Sequence, residues 1–465
     1  MTEGSKMLGI DQMKDPEMRE KYKELLSIAW PASLEGALMS LMNALDTMMV
    51  GRLGPAAIAA VGLCGQPRML MLVMTQALCV GTTAFIARRF GEKRQDRAVS
   101  CVKQSLAIVT VLGILMSLIG ITGSRFLVNL AGANDETREL AALYFRIIAA
   151  AFIANNWALC ICAAMRGIGE TKITLRVNMA SNIVNVILNY CLIEGHFGFP
   201  ALGVRGAAIA TAIGSCVSCL MAIHMLFKKG YLCPLGTGMV KFDKETVSSL
   251  AKVGGGSIFE SVFMRIGFMM NTRLIAGLGT IALATNQVVM QCTSFSFTLG
   301  EGVSSAGTAL VGKSLGERDK KKASDYIEVV THVSTWLSIL LIAFFFSLRH
   351  VLPTLFSDDP DVIRGSAIAF IVVLFGIYSQ NKRTVLSGCL RGAGDVRYIA
   401  IVSLISVAIA RPLMTWLFCY PINQAFPMLA LSFCGQWVSF DLESVLRSRL
   451  MQWRVKNGGW ADIKV

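Results

Sequence analysis

A chain of 465 residues that is 54% hydrophobic, only 16% charged and has a mean hydropathy of +0.58 is too apolar for an ordinary soluble domain. Its net charge of +14 would suggest nucleic acid in a soluble protein. Here the basic residues flank apolar runs, so the charge belongs to a membrane surface and no nucleic-acid partner is expected.

The first 24 residues are polar and charged, with no short apolar core ending in small residues, so no cleavable leader is expected. Apolar runs able to cross about 30 Å of hydrocarbon as helices follow at 28–50, 58–84, 102–124, 140–165, 173–194 and 203–227. A Lys-Gly-Pro-rich stretch at 228–252 separates them from runs at 254–276, 281–311, 327–348, 366–390, 398–419 and 424–446. The pattern predicts an all-α polytopic membrane protein with twelve transmembrane helices in two pseudo-symmetric six-helix lobes, 1–227 and 253–465, joined by a cytoplasmic linker at 228–252. The second and eighth runs are long enough to be broken or tilted.

Basic clusters follow the even-numbered runs, as in Arg88, Arg89, Lys93, Arg94 and Arg97, or Lys313, Arg318, Lys320, Lys321 and Lys322. The intervening loops carry acids instead, such as Asp135, Glu136 and Glu139. The positive-inside rule therefore places both termini in the cytoplasm of a cell-membrane protein. Each lobe then holds an even number of spans, which makes the lobes parallel repeats.

Sequence identity supports the same division. Arg166-Gly167-Ile168-Gly169-Glu170 recurs 225 residues later as Arg391-Gly392-Ala393-Gly394-Asp395. At the same offset Gly91-Glu92 falls on Gly316-Glu317, Asn156 on Asn381 and Glu35 on Glu260. Several matches at one offset identify two copies of one unit.

Within the first span, Glu35 and Asp46 lie on one helical stripe about 16 Å apart, with Met39, Met42 and Asn43 on or beside it. An intramembrane acid is costly unless solvated, paired or protonated, and is a functional candidate; the alternative for Glu35 is a side chain reaching toward the interface. The fifth span presents Asn178, Asn182, Asn185 and Asn189 as one polar face. Such a face can glue helices or wall a hydrated cavity, and four amides in the same lobe as Asp46 favour the cavity. Thr211 adds a hydroxyl on the sixth span, beside the close-packing edge Gly206, Ala210, Gly214.

The second copy departs from the first. Asn271 replaces Asp46, Met414 replaces Asn189, and cations enter at Arg265, Lys382, Arg383 and Arg411. Lys382 and Arg383 either pair with Glu260 or Glu301 or point to carbonyls, or line a substrate site that tolerates or wants negative charge.

Two motif matches carry little. Gly307 to Ser314 fits G-x-x-x-x-G-K-[ST], but lies at the end of an apolar span rather than after a strand in a βαβ setting. Cys216 and Cys219 have C-x-x-C spacing with no second cysteine pair, and most of the thirteen cysteines lie within spans as small packing residues. No catalytic constellation supports an enzyme.

Taken together, Asn43-Ala44-Leu45-Asp46-Thr47, Val50-Gly51-Arg52-Leu53-Gly54, the Gly91-Glu92 loop and the two R-G-x-G-[DE] turns resemble the multidrug and toxic compound extrusion (MATE) family, over nearly the whole chain. The twelve-span major facilitators expect a different loop after span two, which Arg88 to Arg97 does not supply. The resemblance implies two six-helix lobes forming a V-shaped cleft and drug efflux driven by inward Na⁺ or H⁺. It maps family cation sites onto Asp46, Asn185, Asn189 and Thr211, and a seventh-helix acid onto Glu260. A second acid on helix ten has no counterpart, since no Asp or Glu occurs between Asp361 and Asp395. Some branches carry an aspartate at the end of the fifth-helix ladder, where this chain has Asn189.

The expected protein is a monomeric secondary antiporter in the bilayer that exports amphipathic organic molecules. It needs no cofactor beyond the coupling ion. The candidate substrate residues are Glu35, Asn178, Asn182, Glu260, Lys382 and Arg383. The alternatives are an exporter or flippase of a lipid-linked or anionic metabolite, and a passive channel, against which the asymmetric acid argues.

Overall fold

The computed structural model describes residues 15–133, 135–229, 242–278, 280–355, 359–425 and 431–463, so the middle of the expected linker lies outside the described residues. Every regular element among them is helical. The first half comprises α1 (Pro16–Gly51), α2 (Pro55–Gly91), α3 (Gln95–Thr122), α4 (Asp135–Ala150), α5 (Phe152–Gly167), α6 (Thr171–Ile193) and α7 (Val204–Lys229), apart from shorter turns. The second comprises α8 (Lys244–Ala276), α9 (Thr280–Gly316), α10 (Lys320–Leu348), α11 (Pro360–Gly392), α12 (Val396–Ser403), α13 (Arg411–Leu417) and α14 (Leu431–Lys456).

Among the described residues, seven helices are long and apolar enough to cross a membrane: α1, α2 from Ala59, α3, α7 to Phe227, α10, α11 and the helical run Val396–Ala425. A further candidate span is the pair α4 and α5, bent by 52° at their junction. The long helices that fall short of that apolar measure are α6, α8, α9 and α14; α6 carries the asparagine face, α8 carries Glu260, and α14 carries Asp441, Glu443 and Arg447. The second and eighth predicted spans are neither broken nor interrupted; α2 and α9 are continuous 37-residue helices. The Gly307–Ser314 stretch is part of α9, not a phosphate loop. The break falls instead at α4–α5, and the run from α12 to α13 widens into π-helix at Leu404–Ala410.

The chain separates into two compact units, residues 34–254 and residues 255–465 with the described residues before Leu34. Leu25, Ile28 and Ala29 of α1 thus join Val303, Leu310, Val330 and Leu386 in one core of the second unit. The first unit has a core built on Ala60, Phe145, Phe152, Ala207 and Ala208.

The repeat holds at the level of single backbone bonds. Gly169 and Gly394 both take positive φ, 83° and 85°, which glycine adopts without a Cβ penalty. Before them, Gly167 backs onto the Thr83 carbonyl and Gly392 onto the Thr308 carbonyl, leaving no room for a Cβ. The same threonines then donate their hydroxyls across the interface, Thr83 to the Ala163 carbonyl at 2.9 Å and Thr308 to the Gly388 carbonyl at 2.8 Å. Each helix that leads into an R-G-x-G turn is thereby anchored to the second helix of its own unit.

Candidate functional site

In the first unit, α1 and α6 meet through a ladder of polar side chains. Asn178 Nδ2 donates to Glu35 Oε1 at 2.7 Å, Asn182 Nδ2 lies 2.9 Å from the Met39 sulfur, and Asn189 Nδ2 donates to Asp46 Oδ1 at 2.8 Å. All three pairs are 143 residues apart in sequence, so the two helices run parallel and in register. The +4 and +7 steps of Glu35, Met39 and Asp46 match those of Asn178, Asn182 and Asn189 because both follow the helical repeat.

Two stations sit along this seam. At one, Glu35 also accepts from Thr174 Oγ1 at 2.6 Å and faces Arg166 Nη1 at 3.5 Å. Glu35, Met42, Asn178 and Asn182 border a cavity of about 30 Å³ there, about the volume of one water molecule. At the other, Asn189 Nδ2 is shared between Asp46 and Asn185 Oδ1, 3.2 Å away, and Asn185 Nδ2 reaches Thr211 Oγ1 at 3.4 Å. The structure therefore brings together Asp46, Asn185, Asn189 and Thr211. Asn185 and Asn189 are buried, and Asn189 Oδ1 has no partner among the described residues. Arg68 acts on Asp46 electrostatically, a contributor from α2 that no spacing in the sequence signalled.

This second station offers oxygen donors of three kinds, carboxylate, amide and hydroxyl. Such a set suits a hard cation or a proton rather than a soft metal. Among the described residues no three His, Cys, Asp or Glu gather as a metal centre, and Cys216 and Cys219 are free thiols.

The second unit keeps the first station and converts it. Glu260 occupies the place of Glu35, and Arg391 that of Arg166, at the same separation of 131 residues. Its Oε1 and Oε2 accept from Arg391 Nη2 at 3.0 and 3.1 Å, while Arg447 Nη2 adds a bond of 2.9 Å to Oε1. Arg447 also donates to Ser403 Oγ at 2.7 Å, and Ser403 stands where the first unit has Asn178. The alternative in which Lys382 or Arg383 neutralises Glu260 is therefore replaced by pairing with Arg391 and Arg447. The position matching Asp46 is Asn271, buried, with neither amide atom partnered among the described residues.

Lys382 and Arg383 do not form one site. Successive residues on a helix point about 100° apart. Arg383 turns inward, donating to Ser444 Oγ at 3.2 Å and standing 5.7 and 5.6 Å from the Phe297 and Phe440 rings. Lys382 turns to the Tyr378 hydroxyl, 3.3 Å away. Two acids went unremarked in the sequence although they lie inside the last predicted span. Glu443 is fully buried with both carboxylate oxygens unpartnered among the described residues, and Asp441 packs against Gly376, where a Cβ would overlap it. Arg411, buried 4.6 Å from the Phe440 ring, acts electrostatically on both. The rule that marked Asp46, an acid within an apolar run, would have found them.

Comparison with known proteins agrees with this architecture. The MatE family model matches residues 31–191 and 257–417, one match in each repeat. An uncharacterized transporter, YisQ of Bacillus subtilis, is 24% identical over 446 residues, covering 95% of both chains. A probable multidrug resistance protein NorM of Thermotoga maritima is 26% identical over 448 residues, covering 96% of this chain and 94% of its own. Among solved structures, a MOP superfamily transporter from Pyrococcus furiosus, described as having a binding pocket of reversed polarity, superposes with a TM-score of 0.85 at 21% identity, covering 94% of this chain and 96% of that one. An outward-facing multidrug resistance MATE transporter gives 0.86 at 20% identity, with 94% and 96% covered. With both repeats matched by the family model, the chain belongs to the MatE family of membrane transporters.

Proposed function

We propose that this chain is a secondary antiporter of the cell membrane that exports amphipathic organic compounds in exchange for Na⁺ or H⁺. The coupling ion is taken up at Asp46 with Asn185, Asn189 and Thr211. The observation that carries this reading is the Asp46–Asn189 bond with a buried, unpartnered amide oxygen beside it. An amide presents either donor or acceptor to a neighbour by rotating. With the carboxylate empty, Asn189 offers its N–H groups to Asp46. With a cation bound, the same side chain offers its oxygen. Relatives named as multidrug resistance proteins support the substrate class.

The Glu35 station, with Asn178 and Asn182, borders the path between cation site and substrate. Export of an anionic or lipid-linked metabolite is the second reading. It is favoured by Arg383 and Arg411 on the ring of Phe440, with Arg411 Nε and Nη2 unpartnered among the described residues. Both termini lie in the cytoplasm on the positive-inside reading.

Counterflow in proteoliposomes under imposed Na⁺ or H⁺ gradients, comparing a cationic with an anionic substrate, tests the proposal. Uptake of the cationic substrate driven by one gradient supports it. Transport indifferent to both gradients rejects antiport, and transport of the anionic substrate alone selects the second reading.

A further inference from the structure

Between α11 and α14 the second unit holds a groove of about 510 Å³, lined by Tyr378, Lys382, Val445, Arg449, Trp453 and Lys456 among others. No acid lines it. None of its three cations has a carboxylate within ion-pair distance among the described residues, and the contact recorded for Lys382 is with Tyr378, through its hydroxyl and the ring face at 5.4 Å. The groove is thus a cluster of three positive charges without counter-ions, next to Trp453, which is 58% exposed, and Val445, which is 39% exposed. From Val445 to Lys456 the wall rises about 16 Å along α14. The cations are spread along that length: Lys382, next to the Arg383 that bonds Ser444, stands near the level of Val445, with Arg449 and Lys456 beyond it along α14.

We propose that this groove binds the headgroup of an anionic phospholipid from the cytoplasmic leaflet. Its phosphodiester would lie between Lys382, Arg449 and Lys456, with Trp453 at headgroup level and the acyl chains leaving past Val445. Each element has a physical reason. Unpaired basic residues between transmembrane helices attract anionic headgroups. An exposed tryptophan at the end of a spanning helix sits at the membrane–water boundary. Three cations facing one cavity are costly unless an anion joins them. The assignment places Lys382 in a lipid site rather than in the substrate path, and leaves Arg383, which turns inward about 100° away, as the interior cation. It rests on the cytoplasmic placement of the α14 end.

The test uses the full chain, purified in neutral detergent and stripped of lipid. It is titrated with phosphatidylglycerol or phosphatidylcholine of identical acyl chains, and bound lipid is read by native mass spectrometry. The wild type should hold phosphatidylglycerol at least about tenfold more tightly. The Lys382→Gln/Arg449→Gln/Lys456→Gln variant should reduce it to the level of phosphatidylcholine, since each cation near an anionic headgroup contributes about fivefold. Should the triple variant fail to fold, Arg449→Gln alone, an exposed side chain, should still lose about fivefold. Equal binding of the two lipids, or full retention of phosphatidylglycerol by the variants, overturns the proposal. So does its displacement by millimolar inorganic phosphate, which would make the groove a site for free anions. Cleavage of the tail by trypsin added outside intact cells would refute the cytoplasmic placement separately, leaving the lipid measurement unaffected.

Discussion

Glu35 and Glu260 hold the same place in two copies of one fold, yet their surroundings differ in kind. Glu35 has one arginine at 3.5 Å and two neutral donors, Thr174 and Asn178. Glu260 has two guanidiniums at 2.9 to 3.1 Å, and Arg447 is itself only 2% exposed. About three helical turns further the contrast is complete: Asp46 with amide and hydroxyl groups around it in the first unit, Asn271 with no side-chain hydrogen bond among the described residues in the second. The backbone devices that build the fold are repeated faithfully, whereas the polar groups on the seam are not. Duplication preserved the frame, and divergence gave one copy a loosely held acid and the other a locked one.

The largest expected effect follows from the locked acid. Glu260→Gln removes the carboxylate that hydrogen-bonds both Arg391 and Arg447 and should cost about 3–5 kcal/mol, seen as a large fall in melting temperature in detergent. Glu35→Gln, whose neighbour Arg166 is 25% exposed and more distant, should cost about 1 kcal/mol. Equal losses from the two variants would break the comparison.

Next come the adjacent cations. Arg383→Ala removes a hydrogen bond and contacts with two aromatic faces and should destabilise by about 2 kcal/mol. Lys382→Ala should stay within about 0.5 kcal/mol, as surface changes do. In transport, Arg383→Ala should improve export of cationic substrates or impair that of anionic ones. Wild-type behaviour toward both would leave Arg383 a structural group.

The amide ladder is expected to matter more for ion binding than for stability. Asn185→Ala with Asn189→Ala should weaken the dependence on the coupling cation by about tenfold while melting falls only slightly, because each interhelical amide bond contributes about 1 kcal/mol. A lower melting temperature with unchanged ion dependence would reduce the ladder to helix packing.

Much of this was open to reading in the sequence. The 225-residue offset announced the duplication, and the spacing of Asn178, Asn182, Asn185 and Asn189 announced a polar face. The parallel seam was implicit as well, since Glu35, Met39 and Asp46 carry the steps of their asparagine partners. Other features needed the fold. That the R-G-x-G arginines reach the repeated glutamates depends on packing across 131 residues. Arg447 has no counterpart in the first copy, where Ala222 stands at its place, so no repeat could point to it. Lys382 and Arg383 looked like one site because they are neighbours in sequence, although a helix sends neighbours to different faces.

On the proposed function, ion coupling resides at Asp46, whose counterpart in the second copy is the uncharged Asn271. Gradient-driven export measured in proteoliposomes with Asp46→Asn, alongside wild type reconstituted to the same level, tests it most directly. The variant should fold and reconstitute normally but accumulate no substrate under either a Na⁺ or an H⁺ gradient. Accumulation at the wild-type rate would contradict it.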